Sequence, residues 1–196
     1  MEINGEIVND KVRYADLNLS PELMRAIDKK GYVQATPVQA GAIPYFMEWK
    51  DVIAKAPTGT GKTFAFGIPM VEHIDPESTD VLGLVLAPTR ELAIQIGESF
   101  AAYGAHLSLR HTVIFGGVGQ NPQVEALGRG VDILVATPGR LMDLYQQGFV
   151  RLEDLEIFVL DEADRMLDMG FIHDVKKILK WLPAKKQTML FSATMP

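Results

Sequence analysis

Ala56-Pro57-Thr58-Gly59-Thr60-Gly61-Lys62-Thr63 sits just behind the apolar run Val52–Ala54, and its reading decides the fold. The stretch matches G-x-x-x-x-G-K-[ST], except that alanine holds the first position. Glycines let a backbone curl so that successive N–H groups point at phosphate oxygens. A helix opening after them adds the positive end of its dipole. Lys62 would place a point charge near the β- and γ-phosphates, and Thr63 would offer a hydroxyl to Mg²⁺. Ala56, Pro57, Thr58, Gly59, Thr60 and Gly61 complete this candidate cradle, with one weak place, because Pro57 has no N–H to donate. In isolation, a glycine-rich strand-to-helix turn with an exposed lysine would look the same. A buried strand before it and a helix after it favour the phosphate site.

Outward from this loop the chain alternates. Apolar runs suited to buried strands lie at Val52–Ala54, Leu82–Ala87, Thr112–Phe115, Ile133–Ala136, Ile157–Leu160 and Thr188–Phe191. Helical patterns between them include Glu91–Tyr103, Leu141–Gln147 and Asp174–Trp181. The alternation predicts an α/β fold of three layers, a predominantly parallel sheet with helices on both faces. Such sheets bind ligands outside the carboxyl ends of their strands. The chemical residues fall there: Pro57–Thr63, Pro88–Arg90, Gly116-Gly117, Thr137–Arg140, Asp161–Asp164 and Ser192–Thr194 each follow one of the runs. Ahead of the alternation, Ser20 and Pro21 read as N-cap and first residue of a helix with the stripe Leu23, Met24, Ile27, ended by Gly31. Residues 1–13 read as a polar, flexible segment. The helix after Lys62 carries Gly67 and Pro69, which predicts a break or kink there.

The totals narrow the class. The 196 residues are enough for one large domain, and 47% hydrophobic content is ordinary for a globular chain. No apolar run approaches the roughly 18–20 residues that span a bilayer. Met1–Glu6 lacks the basic start and apolar stretch of a signal peptide. With no cysteine, disulfides, thiolate catalysis and cysteine-based zinc sites are excluded. A reducing, cytoplasmic setting fits, although a cysteine-free secreted protein would look the same. The net charge of −6 argues against gripping nucleic acid by bulk attraction, so such contacts must be local.

Asp161 ends the strand run Ile157–Leu160, where a P-loop enzyme holds its Mg²⁺, and Glu162 beside it could orient or deprotonate an attacking water. An acid-rich helix start is the plainer reading of Asp161–Asp164. There is no N-K-x-D guanine signature, so adenine is favoured.

With these motifs in order, the chain from Tyr14 to Thr194 resembles the DEAD-box family of ATP-dependent RNA helicases. The motifs are Gly31–Gln39 (the Q motif), Ala56–Thr63, Pro88–Ala93, Gly116-Gly117, Thr137–Arg140, Asp161–Asp164 and Ser192–Thr194. Asp161–Phe171 looks most like the bacterial RhlE-type branch. The resemblance implies a RecA-like domain over residues 14–196, with the Q motif in 14–39 and the ATP-binding core in 40–196. It implies ATP and Mg²⁺ as ligands, with Lys62, Asp161 and Glu162 catalytic and Thr63 and Asp161 holding the metal, partly through water. Gln39 would read the adenine edge, and Tyr14, standing where the family usually has phenylalanine, would stack on the base. Pro88, Thr89, Arg90, Gly117, Thr137 and Arg140 would hold the RNA sugar-phosphate backbone without reading sequence. Asp164, Ser192 and Thr194 would couple ATP state to RNA grip. Glu91 would either pair with a basic residue of that face or cap its helix.

Departures from the family pattern are Ala35 for proline, Pro57 for glutamine and Trp49 for glycine; Trp49 would either shield the first strand or mark an exposed loop. The family's second RecA-like domain is absent from these residues, with its arginine fingers. The expectation is therefore a monomeric, non-membrane domain that binds nucleotide and turns it over very slowly. A P-loop small-molecule kinase would need a lid with clustered arginines, which is not found; a DNA translocase would share the phosphate contacts.

Overall fold

The six apolar runs are six parallel strands, the central three buried on both faces and the outer ones carrying partly buried or exposed residues as well. The computed structural model describes residues 2–7, 13–56, 61–75, 80–103 and 109–194. In chain order the strands are β1 (Glu2–Ile3), β2 (Glu6–Ile7), β3 (Val52–Lys55), β4 (Gly83–Leu86), β5 (His111–Ile114), β6 (Ile133–Ala136), β7 (Ile157–Leu160) and β8 (Gln187–Ser192). The helices are α1 (Pro21–Lys29), α2 (Pro37–Met47), α3 (Lys62–His73), α4 (Arg90–Tyr103), α5 (Asn121–Gly128), α6 (Pro138–Gln146), α7 (Ala163–Asp168) and α8 (Ile172–Trp181). They build one sheet in the order β2-β1-β3-β8-β7-β4-β6-β5, parallel throughout from β3 to β5.

Register puts Val52, Met189, Val159, Val85, Val135 and Val113 in one row across the sheet. That row faces the core shared with α1–α4, among them Leu23, Ile43, Phe66 and Ile96. The alternate residues Leu84, Leu86, Leu134 and Phe158 face a second core with Leu141, Leu144, Met166 and Ile178 of α6–α8. Two cores on two faces give the three layers expected, and each fully buried Leu or Phe contributes about 1.5–3 kcal/mol. Ser20 caps α1, its Oγ accepting from the Leu23 N–H at 3.3 Å, with Pro21 as the first helical residue.

Three details differ from the sequence reading. Residues 2–7 are not loose: β1 and β2 form an antiparallel hairpin, and β1 extends the sheet antiparallel to β3. Residues 1 and 8–12 lie outside the described set. Of the break or kink expected at Gly67 and Pro69, the break is absent: α3 runs on from Lys62 to His73. Ala65, Phe66, Ile68, Met70 and Val71 are all buried, so burial of the whole helix outweighs the hydrogen bond that Pro69 removes. Trp49 lies in the exposed turn before β3 at φ +62°, which explains a glycine in that place, and its ring stacks on His73 at 4.1 Å. Among the described residues no helix is long and apolar enough to cross a membrane.

Candidate ATP and RNA sites

Strand order divides the carboxyl edge of the sheet in two. β3, β8 and β7 bring together Lys62, Ser192 and Asp161, whereas β4, β6 and β5 bring together Pro88, Thr137 and Gly116.

On the first half, Ala56 is fully buried and its N–H donates to the Ser192 carbonyl at 2.9 Å, which ties the start of the loop to β8. Pro57, Thr58, Gly59 and Thr60 lie outside the described residues. Gly61 resumes at φ +82° and ends the loop, and Lys62 and Thr63 open α3. Lys62 Nζ stands 3.3 Å from Asp161 Oδ1, with the side chains 7% and 1% exposed. The same Oδ1 accepts from the Glu162 N–H at 2.9 Å. Asp161 Oδ2 is buried and has no hydrogen-bond partner. Burial pushes the Asp161 carboxyl up, against the opposing pull of Lys62. A buried oxygen without a donor, beside a lysine and the first turn of α3, fits a cationic or water ligand. No group of three or more His, Asp or Glu side chains that could hold a metal occurs among the described residues. That donor set suits Mg²⁺, which takes one or two carboxylates and completes its shell with phosphates and water.

Glu162 adopts φ +50°, ψ +51° at the start of α7, a left-handed conformation costing about 1–2 kcal/mol for a residue with a Cβ. Such strain persists where surrounding structure imposes it, and functional sites are where it collects. Its carboxylate is 3.4 Å from Arg165 Nη1. Asp164 Oδ2 accepts from both the N–H and Oγ1 of Thr194, at 3.1 and 3.0 Å, and Ser192 Oγ donates to the Thr194 carbonyl at 2.6 Å. Burial raises the Asp164 carboxyl, but hydrogen bonds from Thr194, the Arg165 N–H and Ser192 outweigh it and hold the group below its ordinary range.

Gln39 is 2% exposed and joins the Q motif to the phosphate loop. Its Oε1 accepts from the Thr36 N–H at 3.0 Å and from the Tyr14 hydroxyl; its Nε2 donates to the Gly61 carbonyl at 3.1 Å. Tyr14 is buried, so the stacking face that the resemblance implies is covered in this structure and the ring meets Gln39 through its hydroxyl. A Cβ on Gly61 would lie 2.6 Å from Gln39 Nε2. Gly61→Ala should therefore cost about 1 kcal/mol from the left-handed backbone, a fall of about 2–4 °C in Tm. ATP affinity, measured by titration of the same variant, should fall further than that strain accounts for, because Gln39 is displaced as well.

On the second half, Pro88, Arg90, Gly116, Thr137 and Arg140 line one cleft of about 400 Å³ with Asp143 and Phe171. The Arg90 guanidinium lies over the Phe115 ring at 5.0 Å. Gly117, at φ +81°, turns beside it. Thr89 Oγ1 accepts from the Leu92 N–H at 3.2 Å, capping α4. Thr137 stands immediately before α6, its N–H donating to the Ile114 carbonyl at 3.1 Å. Arg140 is engaged already: Nη1 donates to Gln123 Oε1 at 2.9 Å and Nη2 to the Val118 carbonyl at 2.7 Å. Gln123 was invisible to sequence reasoning, since its partners come from separate elements and a lone glutamine carries no spacing signal. A further cleft, of about 480 Å³, lies at the opposite, amino ends of the strands beside Trp49, Glu156 and Gln187; none of the candidate ATP- or RNA-site residues lines it.

The comparisons with known proteins agree with this fold. A family model described as DEAD/DEAH box helicase matches residues 36–196. A DEAD-box ATP-dependent RNA helicase CshA of Bacillus subtilis is 49% identical over 185 residues, which is 94% of this chain and 37% of that protein. The protein of the same name from Streptococcus pneumoniae is 46% identical over 94% of this chain and 35% of its own. These relatives bear a different name from the RhlE-type branch that Asp161–Phe171 resembles. The crystal structure of a DEAD box protein from the hyperthermophile Methanococcus jannaschii superimposes with a TM-score of 0.90 at 39% identity, covering 95% of this chain and 52% of that one. This chain thus spans little more than a third of the curated relatives it matches. With the family model matching most of its length, the chain belongs to the DEAD/DEAH box helicases.

Proposed function

We propose that this domain binds ATP with Mg²⁺ between α3 and β7 and, within a longer protein, couples ATP binding and hydrolysis to an RNA grip in the neighbouring cleft. The Lys62–Asp161 pair with the orphaned Asp161 Oδ2 carries this reading. Lys62 would leave Asp161 for the β- and γ-phosphates, and Thr63 and Asp161 would hold Mg²⁺, partly through water. The bound metal supplies charge neutralisation at the phosphates. Glu162, next to Asp161 at the start of α7, would take the proton of the attacking water. Thr194, bonded to Asp164, would pass the state of this edge to a second RecA-like domain. Pro88, Thr89, Arg90, Gly117, Thr137 and Arg140 would hold RNA phosphates and sugars without reading bases, with Arg90 and Arg140 supplying the local charge that a chain of net charge −6 lacks in bulk.

Gln39 supports adenine recognition through one remaining amide hydrogen: both Oε1 positions and one Nε2 hydrogen are in use. Full readout of an adenine edge, which both donates and accepts, would require Tyr14 to release Oε1. Titration of the chain with ATP, GTP and CTP in the presence of Mg²⁺ tests this. ATP should bind at least about tenfold tighter than the others, a difference of roughly 1.4 kcal/mol, and Gln39→Ala should narrow the gap. Equal affinities for the three nucleotides would remove Gln39 from the assignment.

A further inference from the structure

Arg140 and the Phe115–Gly119 loop reach the cleft from different elements, α6 and the connection from β5 to α5, and one buried amide joins them. Gln123, the third residue of α5, is 8% exposed. Its Nε2 donates to the Phe115 carbonyl at 3.1 Å, and its Oε1 accepts from Arg140 Nη1 at 2.9 Å. Arg140 Nη2 closes the circuit on the Val118 carbonyl at 2.7 Å. Phe115 in turn carries the Arg90 guanidinium on its ring. A second tie lies alongside: the side-chain amides of Gln120 and Gln147 exchange hydrogen bonds of 3.1 Å, fastening the start of α5 to the end of α6.

On the reading of this cleft as an RNA-phosphate site, we infer that Gln123 is a positioning residue that locks Arg140 and the Phe115–Val118 loop into one preformed phosphate-binding unit. Without that amide, the Phe115 carbonyl loses its side-chain donor and the Arg140 guanidinium loses one of its two anchors. Phe115 and Arg140 are only half-buried, so the freed groups turn to water instead of holding one another in place. Arg140 would then swing and the loop would lose its shape before RNA arrives, so ordering would be required at binding. A chain of net charge −6 cannot offset that by general attraction, which makes preformed local contacts decisive.

The test is a double-mutant cycle in the full-length protein, read by the concentration of labelled single-stranded RNA at half-saturation and of RNA at half-maximal ATPase stimulation. Gln123→Met keeps the volume and removes the amide; Arg140→Ala removes the guanidinium. Gln123→Met should weaken RNA binding about tenfold, with the maximal ATPase rate, ATP affinity and Tm little changed. In the Arg140→Ala background, Gln123→Met should add less than about twofold, because it acts through the group already removed. Independent, multiplying losses would overturn the inference, as would a loss of ATP affinity and Tm in step with RNA affinity, which marks a merely structural glutamine. If Arg140→Ala alone leaves RNA binding intact, the RNA reading of the cleft fails instead, a result distinguishable from independent losses.

Discussion

Glu162→Gln is expected to lower RNA-stimulated ATP turnover in the full-length protein by about 10²–10⁴-fold while leaving ATP affinity within a few-fold of the parent. The substitution removes the negative charge and with it the ability to take a proton, and the ion pair with Arg165 becomes at most a neutral hydrogen bond. Glutamine keeps the length of the side chain, its acceptor oxygen toward Arg165, and tolerance of the left-handed backbone comparable to that of glutamate. Phosphate release under saturating ATP and RNA gives the rate, and nucleotide titration gives the affinity. Turnover that survives the change would mean that another group activates the water. Loss of ATP binding along with turnover would mean that Glu162 shapes the pocket and is not the base. Asp161→Asn provides the contrast: it should weaken the Mg²⁺ dependence of nucleotide binding, since Asp161 is the carboxylate with a free buried oxygen.

The central strands were legible because each is buried on both faces and so reads as an unbroken apolar run. Ile133–Ala136 and Ile157–Leu160 are strands over the residues expected, and the run Leu82–Ala87 shortens by one residue at each end, where pairing gives way to the loops. The hairpin of residues 2–7 was not legible, for a two-residue strand has no periodicity to detect. The start of α6 at Pro138 lay three residues before the apolar pattern began at Leu141, because Thr137 and Pro138 open the helix through capping geometry and contribute nothing to its stripe. At Pro69 local propensity argued for a break or kink; the helix does not break, because burial of α3 between the sheet and its neighbours holds it together.

The candidate site was legible in its parts and not in its joints. Lys62, Asp161, Arg90 and Arg140 announce themselves by residue type at strand ends, and the structure brings each to the carboxyl edge. The division of that edge into two halves follows from the order β3-β8-β7-β4-β6-β5, which no local spacing encodes. The contacts among residues were equally hidden. Gln39 is joined to Gly61, Thr194 to Asp164 and Arg140 to Gln123, all across separations that only the folded chain closes. A reading from motifs assigned Arg140 directly to phosphate; in the structure its guanidinium is bonded to Gln123 and to the Val118 carbonyl, contacts that no motif announced.

Lys62→Met should destabilise the domain more than Gly61→Ala or Gln123→Met, and its cost should depend on pH. Methionine fills much of the same volume, so the loss is chiefly that of the charge facing Asp161, which is 1% exposed. Breaking a buried pair by removing one partner typically costs about 3–5 kcal/mol, equivalent to a fall of roughly 6–20 °C in Tm for a chain of this size. The sign with pH follows from the direction of the Asp161 shift. Its carboxyl is raised on folding by burial, so protonated Asp161 favours the folded state: that contribution is fully present below the ordinary aspartate range and is lost as pH rises through the raised value. Without Lys62 to oppose burial, the carboxyl rises further, and the variant should lose stability relative to the parent as pH increases. Denaturant unfolding at about pH 5 and about pH 8 should show a smaller deficit at the lower pH, changing by up to about 1.4 kcal/mol per pH unit for one proton. Adding Asp161→Asn to Lys62→Met should recover most of the stability at the higher pH, because the buried charge has gone, while ATP affinity stays reduced by about tenfold to a hundredfold for want of the lysine. An equal deficit at both pH values, with no recovery in the double variant, would show that Lys62 stabilises the domain through its packing and that the ion pair with Asp161 is incidental. Recovery of stability without recovery of ATP binding would instead separate the two tasks of Lys62, balancing a buried carboxylate before ATP arrives and meeting the phosphates once it does.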